Sequence, residues 1–270
     1  MHLAIVTLLL LAASAPAQTR QDYDRAQCRL SFGNSVRDLA AVTALRVQTC
    51  HRQRMQGKLS PAIACNDPST WSAAGYPTGA ATMARDLSRY AAESAHCSAG
   101  IATPPDAGYS HCPAPCQQLP VTSFAELGEC LACVTFSAGL PALSDLLGTP
   151  PAPGVRAPRK CQETIGRGVV RYVNKRMNLQ HGCQFLKEVA KAELVSSDCR
   201  DASGANHPYS ARSERAGAKL RKQIERRCAT ADTIAALDTC AGDSAGLAAC
   251  VLAAADAWTD TLFDSIYPTL

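Results

Sequence analysis

Aromatic side chains are scarce in this sequence: Phe, Trp and Tyr together make up 5% of its 270 residues. A core built mainly from packed rings is therefore excluded, and the interior must consist largely of Ala, Leu, Val and Cys. Small side chains let helices approach closely, and Ala has the highest helix propensity. Sustained alternation of apolar and polar residues, the pattern of a half-buried strand, is also lacking. We therefore expect an all-α fold with almost no strand.

Lys and Arg are absent from two long segments, residues 98–150 and 229–270, in which every charged side chain is acidic. Each of these segments follows a region rich in basic side chains, and the net charge of the whole chain is only +4. Because the net charge is small, we expect basic and acidic surfaces to complement each other within each half. The alternative is a basic surface that binds anionic polymers or lipids.

Long apolar runs are few, and the clearest one, Leu3 to Ala13, lies at the start of the sequence. It has the length of the apolar region of a signal peptide, and Ala15-Pro-Ala17 supplies the small residues of a cleavage site. No Lys or Arg precedes the run, and it is too short to span a bilayer. We interpret residues 1–17 as a signal peptide and expect a secreted or periplasmic protein without a transmembrane anchor, since no second long apolar segment is recognised.

All fourteen cysteines follow residue 17. An even number of cysteines in an exported chain indicates a disulfide framework, here of up to seven bridges. Their spacing also repeats: when Cys28 is placed over Cys161, Cys50 falls on Cys183 without a gap. Both halves end in an apolar segment around a Cys, residues 124–130 and 234–240. We infer two tandem disulfide-stapled modules of three to four helices each, residues 18–148 and 161–270, joined by a Pro-rich linker, residues 149–160.

The periodicity of apolar residues predicts paired helices in the two modules. The first pair covers about 30–56 and 163–194, with Ser31 and Thr164 as possible N-caps. The second pair covers about 78–96 and 210–228, and a shorter third pair covers about 122–138 and 231–238. A further helix is predicted over 247–264.

Helix geometry restricts the disulfide pairs. Cys28 and Cys50 lie 22 residues apart, or roughly 33 Å along a continuous helix, whereas a disulfide needs Cα atoms within about 7 Å. An antiparallel helical hairpin instead predicts the pairs Cys28–Cys97, Cys161–Cys228, Cys50–Cys65 and Cys183–Cys199, and by elimination Cys240–Cys250. The order of pairing among Cys112, Cys116, Cys130 and Cys133 stays open.

Parts of both modules resemble a known group of proteins. The stretch Cys161–Gly166, then Arg171-Tyr-Val173, then Leu179-Gln180 before Cys183, is similar to a module of uncharacterised Cys-rich secreted proteins of delta-class proteobacteria, as is the segment around Cys250. The first module departs from that pattern through its extra pair, Cys112 and Cys116. The resemblance implies export and a helical-repeat fold. It says nothing about an activity, because none is known for that group.

Two short motifs could indicate catalysis. Residues 242–246 match G-x-S-x-G, but that nucleophile elbow requires a preceding strand and a later His, and the last His is His207. We interpret it as a Gly-rich turn between helices. Cys130-Leu-Ala-Cys133 matches C-x-x-C, but no strand precedes it as in a thiol-redox site, so we expect two structural cysteines with different partners.

Histidines adjacent to cysteines, such as His51, His96 and His111, could in principle bind zinc with thiolates. In an exported chain those thiols are normally oxidised, which removes the ligands. Gly166-Arg-Gly168 is only a fragment of a phosphate-binding loop and lies in a predicted helix. We therefore assign no catalytic, cofactor-binding or metal-binding residue.

The clearest candidate binding feature is a basic helix face formed by Arg215, Lys219, Lys222 and Arg226. It could contact an anionic surface or polysaccharide, or another protein, and it lacks the interleaved aromatics that nucleic acids favour. We therefore expect a non-enzymatic binding or structural protein. The alternatives are an extracellular carrier of an apolar ligand or lipid and a hydrolytic or thiol-redox enzyme, the hydrolase using carboxylates such as Glu126, Glu129, Asp243 or Asp256.

Overall fold

The computed structural model describes residues 20–94, 97, 101–189, 196–240 and 242–268. Regular structure in these residues is entirely helical, which confirms the all-α fold. Two short 3-10 helices, Pro68–Thr70 and Pro105–Ala107, accompany seven α-helices: α1 (Arg20–Met55), α2 (Pro77–Ser94), α3 (Phe124–Leu147), α4 (Arg156–Glu188), α5 (Ser210–Arg227), α6 (Ala231–Ala235) and α7 (Ser244–Ile266). The interpretation of residues 1–17 as a signal peptide lies outside the described residues, as do His96 and the predicted helical residues 190–194.

The two long helices α1 and α4 begin earlier than predicted. Ser31 and Thr164 therefore lie inside helices and are not N-caps, and the Thr164 hydroxyl donates to the backbone oxygen of Lys160 at 2.8 Å. In α4 the first turn contains Pro158, which fits because the first backbone N–H groups of a helix have no intrahelical acceptor. The last residues of the predicted linker are thus helical, and only residues 148–155 connect α3 to α4.

Helix α3 is longer than predicted and passes through Pro141. It starts at a capping box, in which the Ser123 hydroxyl accepts from the Glu126 N–H and the Glu126 carboxylate accepts from the Ser123 N–H. Pro141 is exposed, while Leu143 and Leu147 beyond it are buried. Burial of the last turn therefore outweighs the hydrogen bond that proline removes.

The helices of the two halves share one hydrophobic core. In the first half α1 packs against α2 and α3, and in the second half α4 packs in the same way against α5 and α7. The most extensive contact is between α1 and α4, and α3 packs against α7. The two halves of the chain thus pack directly on each other, with the contact between α1 and α4 at the centre.

Two glycines allow α1 and α4 to approach closely. A Cβ atom at Gly33 would lie 2.9 Å from the His181 ring, and one at Gly166 would lie 2.8 Å from the Gln48 side chain. When Cys28 is placed over Cys161, Gly33 falls on Gly166 and Gln48 falls on His181. The contact between the central helices is therefore made twice, once from each side, by aligned residues.

All fourteen cysteines form pairs at disulfide distance, with Cα–Cα distances from 5.0 to 6.2 Å. The five pairs that helix geometry predicts are among them. The remaining four cysteines pair as Cys112–Cys130 and Cys116–Cys133. The two cysteines of the C-x-x-C motif thus have different partners.

The structure pairs α3 with a different segment of the second half than the sequence analysis does. Residues 234–240 span the end of the five-residue helix α6 and the loop after it, so they are not the counterpart of residues 124–130. Cys130 lies seven residues after the N-cap Ser123, and Cys250 lies seven residues after the N-cap Asp243. By this spacing and by its packing, α7 occupies the place beside α4 that α3 occupies beside α1. The short helix α6 lies between α5 and α7.

By length and composition, α3 and α7 are apolar enough to cross a membrane. The prediction that no second long apolar segment exists is therefore wrong, because Ala and Gly interspersed with Leu, Val and Phe give high hydropathy without an obvious run. In the structure the two helices pack against each other, and 44% and 50% of their most apolar stretches are buried.

Candidate anion-binding cleft

The acidic residues of α7 bind to a buried arginine. Arg176 is 3% exposed, and its guanidinium donates to the Asp260 carboxylate at 3.0 Å and to the Thr259 hydroxyl at 2.9 Å. The Asp256 carboxylate lies 3.3 Å from Arg176 and accepts from the Tyr172 hydroxyl at 2.6 Å. Burial raises the pKa of both aspartates, and the positive charge of Arg176 opposes that rise. These groups form a network, buried at Arg176 and half-buried at the two aspartates, that holds α7 to α4.

This network shows which basic residues of the second half the acidic segment 229–270 neutralises. The third α7 carboxylate, Asp264, pairs with Arg200 at 2.8 Å. The four basic residues predicted to form one helix face have no carboxylate within salt-bridge distance in the described part of the chain: Arg215, Lys219, Lys222 and Arg226. The acidic segment at the end of the chain therefore neutralises the interior and the loop before α5, and it leaves the basic face of α5 uncompensated.

Helix α5 lies very close to α4. A Cβ atom at Gly168 of α4 would overlap the terminal methyl group of Leu220 of α5, so any larger residue here would force the Leu220 side chain to move. The Cys161–Cys228 bridge ties the beginning of α4 to the end of α5, so the two helices run antiparallel. As a result, exposed basic side chains of α4 stand beside those of α5.

The groove between the two helices is a cleft of about 410 Å³. Six of its lining side chains are cationic and none is acidic, the full lining being Thr164, Arg167, Arg171, Lys219, Lys222, Gln223, Arg226 and Arg227. Only Arg167 has a carboxylate partner in the described part of the chain, Glu163 at 3.8 Å. All six cations are exposed. We call this feature the basic cleft.

The cleft contains three of the four predicted residues and adds three that the sequence interpretation missed. Arg215 lies one helical turn beyond the cleft, whereas Arg167, Arg171 and Arg227 belong to its lining. The spacing of Arg167 and Arg171 places them on one face of α4. That signal was available, but the alignment of this face with α5 depends on the close contact at Gly168.

The chemistry of the cleft is that of an anion receptor. Arg presents a planar fork of donors that matches carboxylate, phosphate and similar oxyanions, and Lys adds mobile point charges. Its lining contains no Cys, His, Asp or Glu to act as nucleophile or general base. The only lining hydroxyl, that of Thr164, donates to a backbone oxygen of its own helix. The arrangement is therefore suited to binding.

The four carboxylates considered for a hydrolase lie at separate places in the structure. Glu126 caps α3 and Asp243 caps α7, and these helices pack antiparallel, since the end of α3 at Gly148 lies beside Asp238 and Thr239 just before α7. The two caps are thus at opposite ends of the pair. Hydrogen bonds from Thr122 lower the pKa of Glu126. Asp256 belongs to the buried network and Glu129 is exposed on α3, so the structure does not bring the four carboxylates together.

The G-x-S-x-G motif is the turn before α7. Gly242 has a positive φ of 118°, and the Asp243 carboxylate accepts from the Gly246 N–H at 2.7 Å, which makes Ser244 the first helical residue. For metals, no group of three or more His, Cys, Asp or Glu side chains that could hold an ion occurs among the residues that the structure describes.

No known protein family, curated protein or solved structure matches this chain. The geometry and charge of the basic cleft therefore carry the functional argument.

Proposed function

We propose that the protein is an exported, disulfide-stabilised, non-enzymatic binding protein that binds anionic ligands at the basic cleft. The observation that carries this proposal is the concentration of six exposed cations around one cleft without a lining carboxylate. Most other buried or half-buried arginines of the chain are paired, as Arg29 is with Glu188 at 2.8 Å and Arg46 with Asp86 at 2.8 Å.

The cysteines support export. All of them are paired in the structure, a state that persists in oxidising compartments and is rare in the cytosol. Export also requires a targeting signal, and residues 1–17 remain our prediction for it. Bridges that restrict the unfolded chain suit a binding protein that must keep its surface outside the cell.

The proposal is tested by retention on a sulfated matrix over a salt gradient. The cleft variant carries Lys219→Glu, Lys222→Glu and Arg226→Glu. A matched control carries Arg52→Glu, Lys58→Glu and Arg85→Glu, which change the net charge equally on helix α1, the loop after it and α2. Because exposed ion pairs contribute about 0.2–1 kcal/mol each, we expect the cleft variant to bind roughly tenfold or more weakly.

The control variant is expected to elute close to the unchanged protein. Equal loss of retention in both variants would contradict the proposal, since it would mean that net charge and not the cleft determines binding. Far-UV circular dichroism of both variants checks that the helices are retained.

A further inference from the structure

Basic side chains continue along the same helix faces beyond the ends of the cleft. On α4 four basic residues and one threonine occupy positions spaced four, three, four and four residues apart, the spacing of one helix face: Lys160, Thr164, Arg167, Arg171 and Lys175. On α5 the spacing is three, four, three and four: Arg212, Arg215, Lys219, Lys222 and Arg226. We call these two rows together the basic track.

The two rows stay side by side over their whole length. Cys161–Cys228 joins the helices at one end, and Gly168 contacts Leu220 in the middle. At the other end Ser203 links them, because its hydroxyl accepts from Arg176 at 2.9 Å and lies 3.2 Å from the Ser213 hydroxyl. With a rise of 1.5 Å per residue, each row is roughly 21 Å long, which exceeds the length of the cleft about twofold.

The track is accessible and its charge is almost uncompensated. Its nine cationic side chains are all exposed, and in the described part of the chain only Arg167 has a carboxylate partner. Glu214 and Glu225 directly precede Arg215 and Arg226, which places them about 100° around α5 from those residues. A compact anion could contact only a few of these cations at once, whereas an extended polyanion could contact most of them.

We propose that the ligand of the track is an acidic polysaccharide chain that lies along α4 and α5. This inference rests on the proposed function and specifies its ligand. Anionic groups repeated along a sugar chain supply acceptors for both rows, and sugar hydroxyls can bond to Thr164 and Gln223 in the cleft. A strand of nucleic acid would be stabilised by stacking on aromatic side chains, and neither row contains one.

An anionic membrane fits the track less well than a sugar chain does. Helices that lie on membranes insert apolar side chains next to their cations. The large exposed hydrophobic residues of the described chain are Tyr23, Leu45 and Val155, and none of them belongs to either row. No large exposed apolar side chain of the described chain therefore stands among the cations to insert into a bilayer.

The test compares a short and a long ligand on the full, disulfide-bonded protein by titration calorimetry. The ligands are a sulfated disaccharide and a sulfated octasaccharide of the same repeat. The track-end variant carries Lys160→Glu, Lys175→Glu and Arg212→Glu, which leave the cleft lining intact. We expect the octasaccharide to bind the unchanged protein at least tenfold more tightly than the disaccharide. The track-end variant should lose most of that advantage while its affinity for the disaccharide changes less than threefold.

The outcomes separate this inference from the proposed function. Unchanged octasaccharide affinity in the track-end variant would overturn the track and leave the cleft as a site for small anions. Tighter binding of anionic lipid vesicles or single-stranded DNA than of the octasaccharide, at equal salt, would overturn the assignment to polysaccharide. Failure of the unchanged protein to bind any of these anions would overturn the proposed function itself. The cleft variant, Lys219→Glu, Lys222→Glu and Arg226→Glu, should lose both sugars.

Discussion

The two halves of the molecule place different chemistry at aligned positions of their central helices. When Cys28 is placed over Cys161, three buried positions of α1 fall on three of α4: Leu39, Thr43 and Val47 on Tyr172, Arg176 and Gln180. In the first half these side chains are buried, and the Thr43 hydroxyl has no hydrogen-bond partner among the residues that the structure describes. In the second half they bind the carboxylates of α7.

The outer surfaces differ in the same way. The track positions of α4 that carry Lys160, Arg167, Arg171 and Lys175 align with Gln27, Asn34, Asp38 and Val42 of α1, none of which is cationic. The described lining of the groove between α1 and α2 contains two acids, Asp38 and Asp86, and no base. The same arrangement of helices therefore carries different interiors and different surfaces in the two halves. In the described part of the chain, the second half combines the ionic network around Arg176 with an exposed row of cations on α4, and the aligned positions of α1 have neither.

The largest expected effect comes from removing the buried cation of the second half. Arg176→Ala leaves Asp256 without a positive partner and leaves Asp260 only Arg200, 4.0 Å away, in a half-buried site, so we expect a loss of up to about 3–5 kcal/mol in the free energy of unfolding. The aligned change Thr43→Ala removes a hydroxyl that has no partner and should cost less than about 1.5 kcal/mol. Guanidinium unfolding with intact disulfides measures both.

A compensating variant tests whether the ionic network causes this difference. Arg176→Met combined with Asp256→Asn and Asp260→Asn removes the charges together, so it should recover a large part of the stability lost in Arg176→Ala. Equal costs for Arg176→Ala and Thr43→Ala would show that the two interiors contribute alike, and the comparison between the halves would lose its energetic basis.

Lowering the pH is expected to reduce the free energy of unfolding by a smaller amount. Burial, together with the nearby Arg37, lowers the pKa of His181 to about 3, and burial lowers that of His51 to about 4, from an ordinary value of 6.5. Since the unfolded chain takes up these protons more readily, the stability due to each neutral histidine is complete above about pH 6.5. It is lost as the pH falls toward the folded-state value, by up to about 1.4 kcal/mol per pH unit for each histidine.

The aligned residue of the first half supplies the variant for this prediction. Because Gln48 occupies the position that aligns with His181, His181→Gln keeps a polar side chain of similar size that does not titrate. The dependence of unfolding free energy on pH between about 6.5 and 5 should become less steep by up to about 1.4 kcal/mol per pH unit. The raised pKa values of Asp256, Asp260 and Glu188 act in the opposite direction, but they affect both proteins equally. Identical pH profiles would contradict the assignment to His181.

The sequence predicts much of this fold because its signals are local. Helical periodicity and cysteine spacing are enough for an all-α chain with hairpin bridges such as Cys28–Cys97. The start of α4 at Arg156 is not predictable in the same way, because Pro158 is ordinarily a sign of a linker and is accepted here only as part of a first turn. The pairing of α3 with α7 also escapes a sequence alignment, because α6 adds an extra helical segment before α7.

Only part of the candidate site can be predicted from the sequence, because the rest depends on contacts between residues that are far apart in the chain. The row from Arg215 to Arg226 follows from helical spacing within one segment. The predicted Cys161–Cys228 hairpin places α4 beside α5. Which faces of the two helices meet in the cleft depends on contacts such as that between Gly168 and Leu220, and no charge pattern or motif signals this contact. Whether the row is neutralised depends on where Asp256 and Asp260 point, and they point to Arg176, a partner 80 or more residues away in the sequence.

The smallest expected effect on stability concerns the Cys240–Cys250 bridge, which contains the most exposed cysteine. Cys250 is exposed, whereas Cys130, at the matching place in α3, is fully buried. Because thiol–disulfide exchange requires access of the attacking thiolate to a sulfur, we expect mild dithiol treatment to open Cys240–Cys250 before any first-half bridge. The bridge closes a separation of only 10 residues, so far-UV circular dichroism should change little.

Alkylation and peptide mapping after graded reduction measure the order of opening and also report the pairing of all fourteen cysteines. A Cys240→Ser/Cys250→Ser variant should lack the early step. Early alkylation at Cys112 or Cys130 would mean that the first half is the more accessible one, and the structural contrast between α3 and α7 would be reversed in solution.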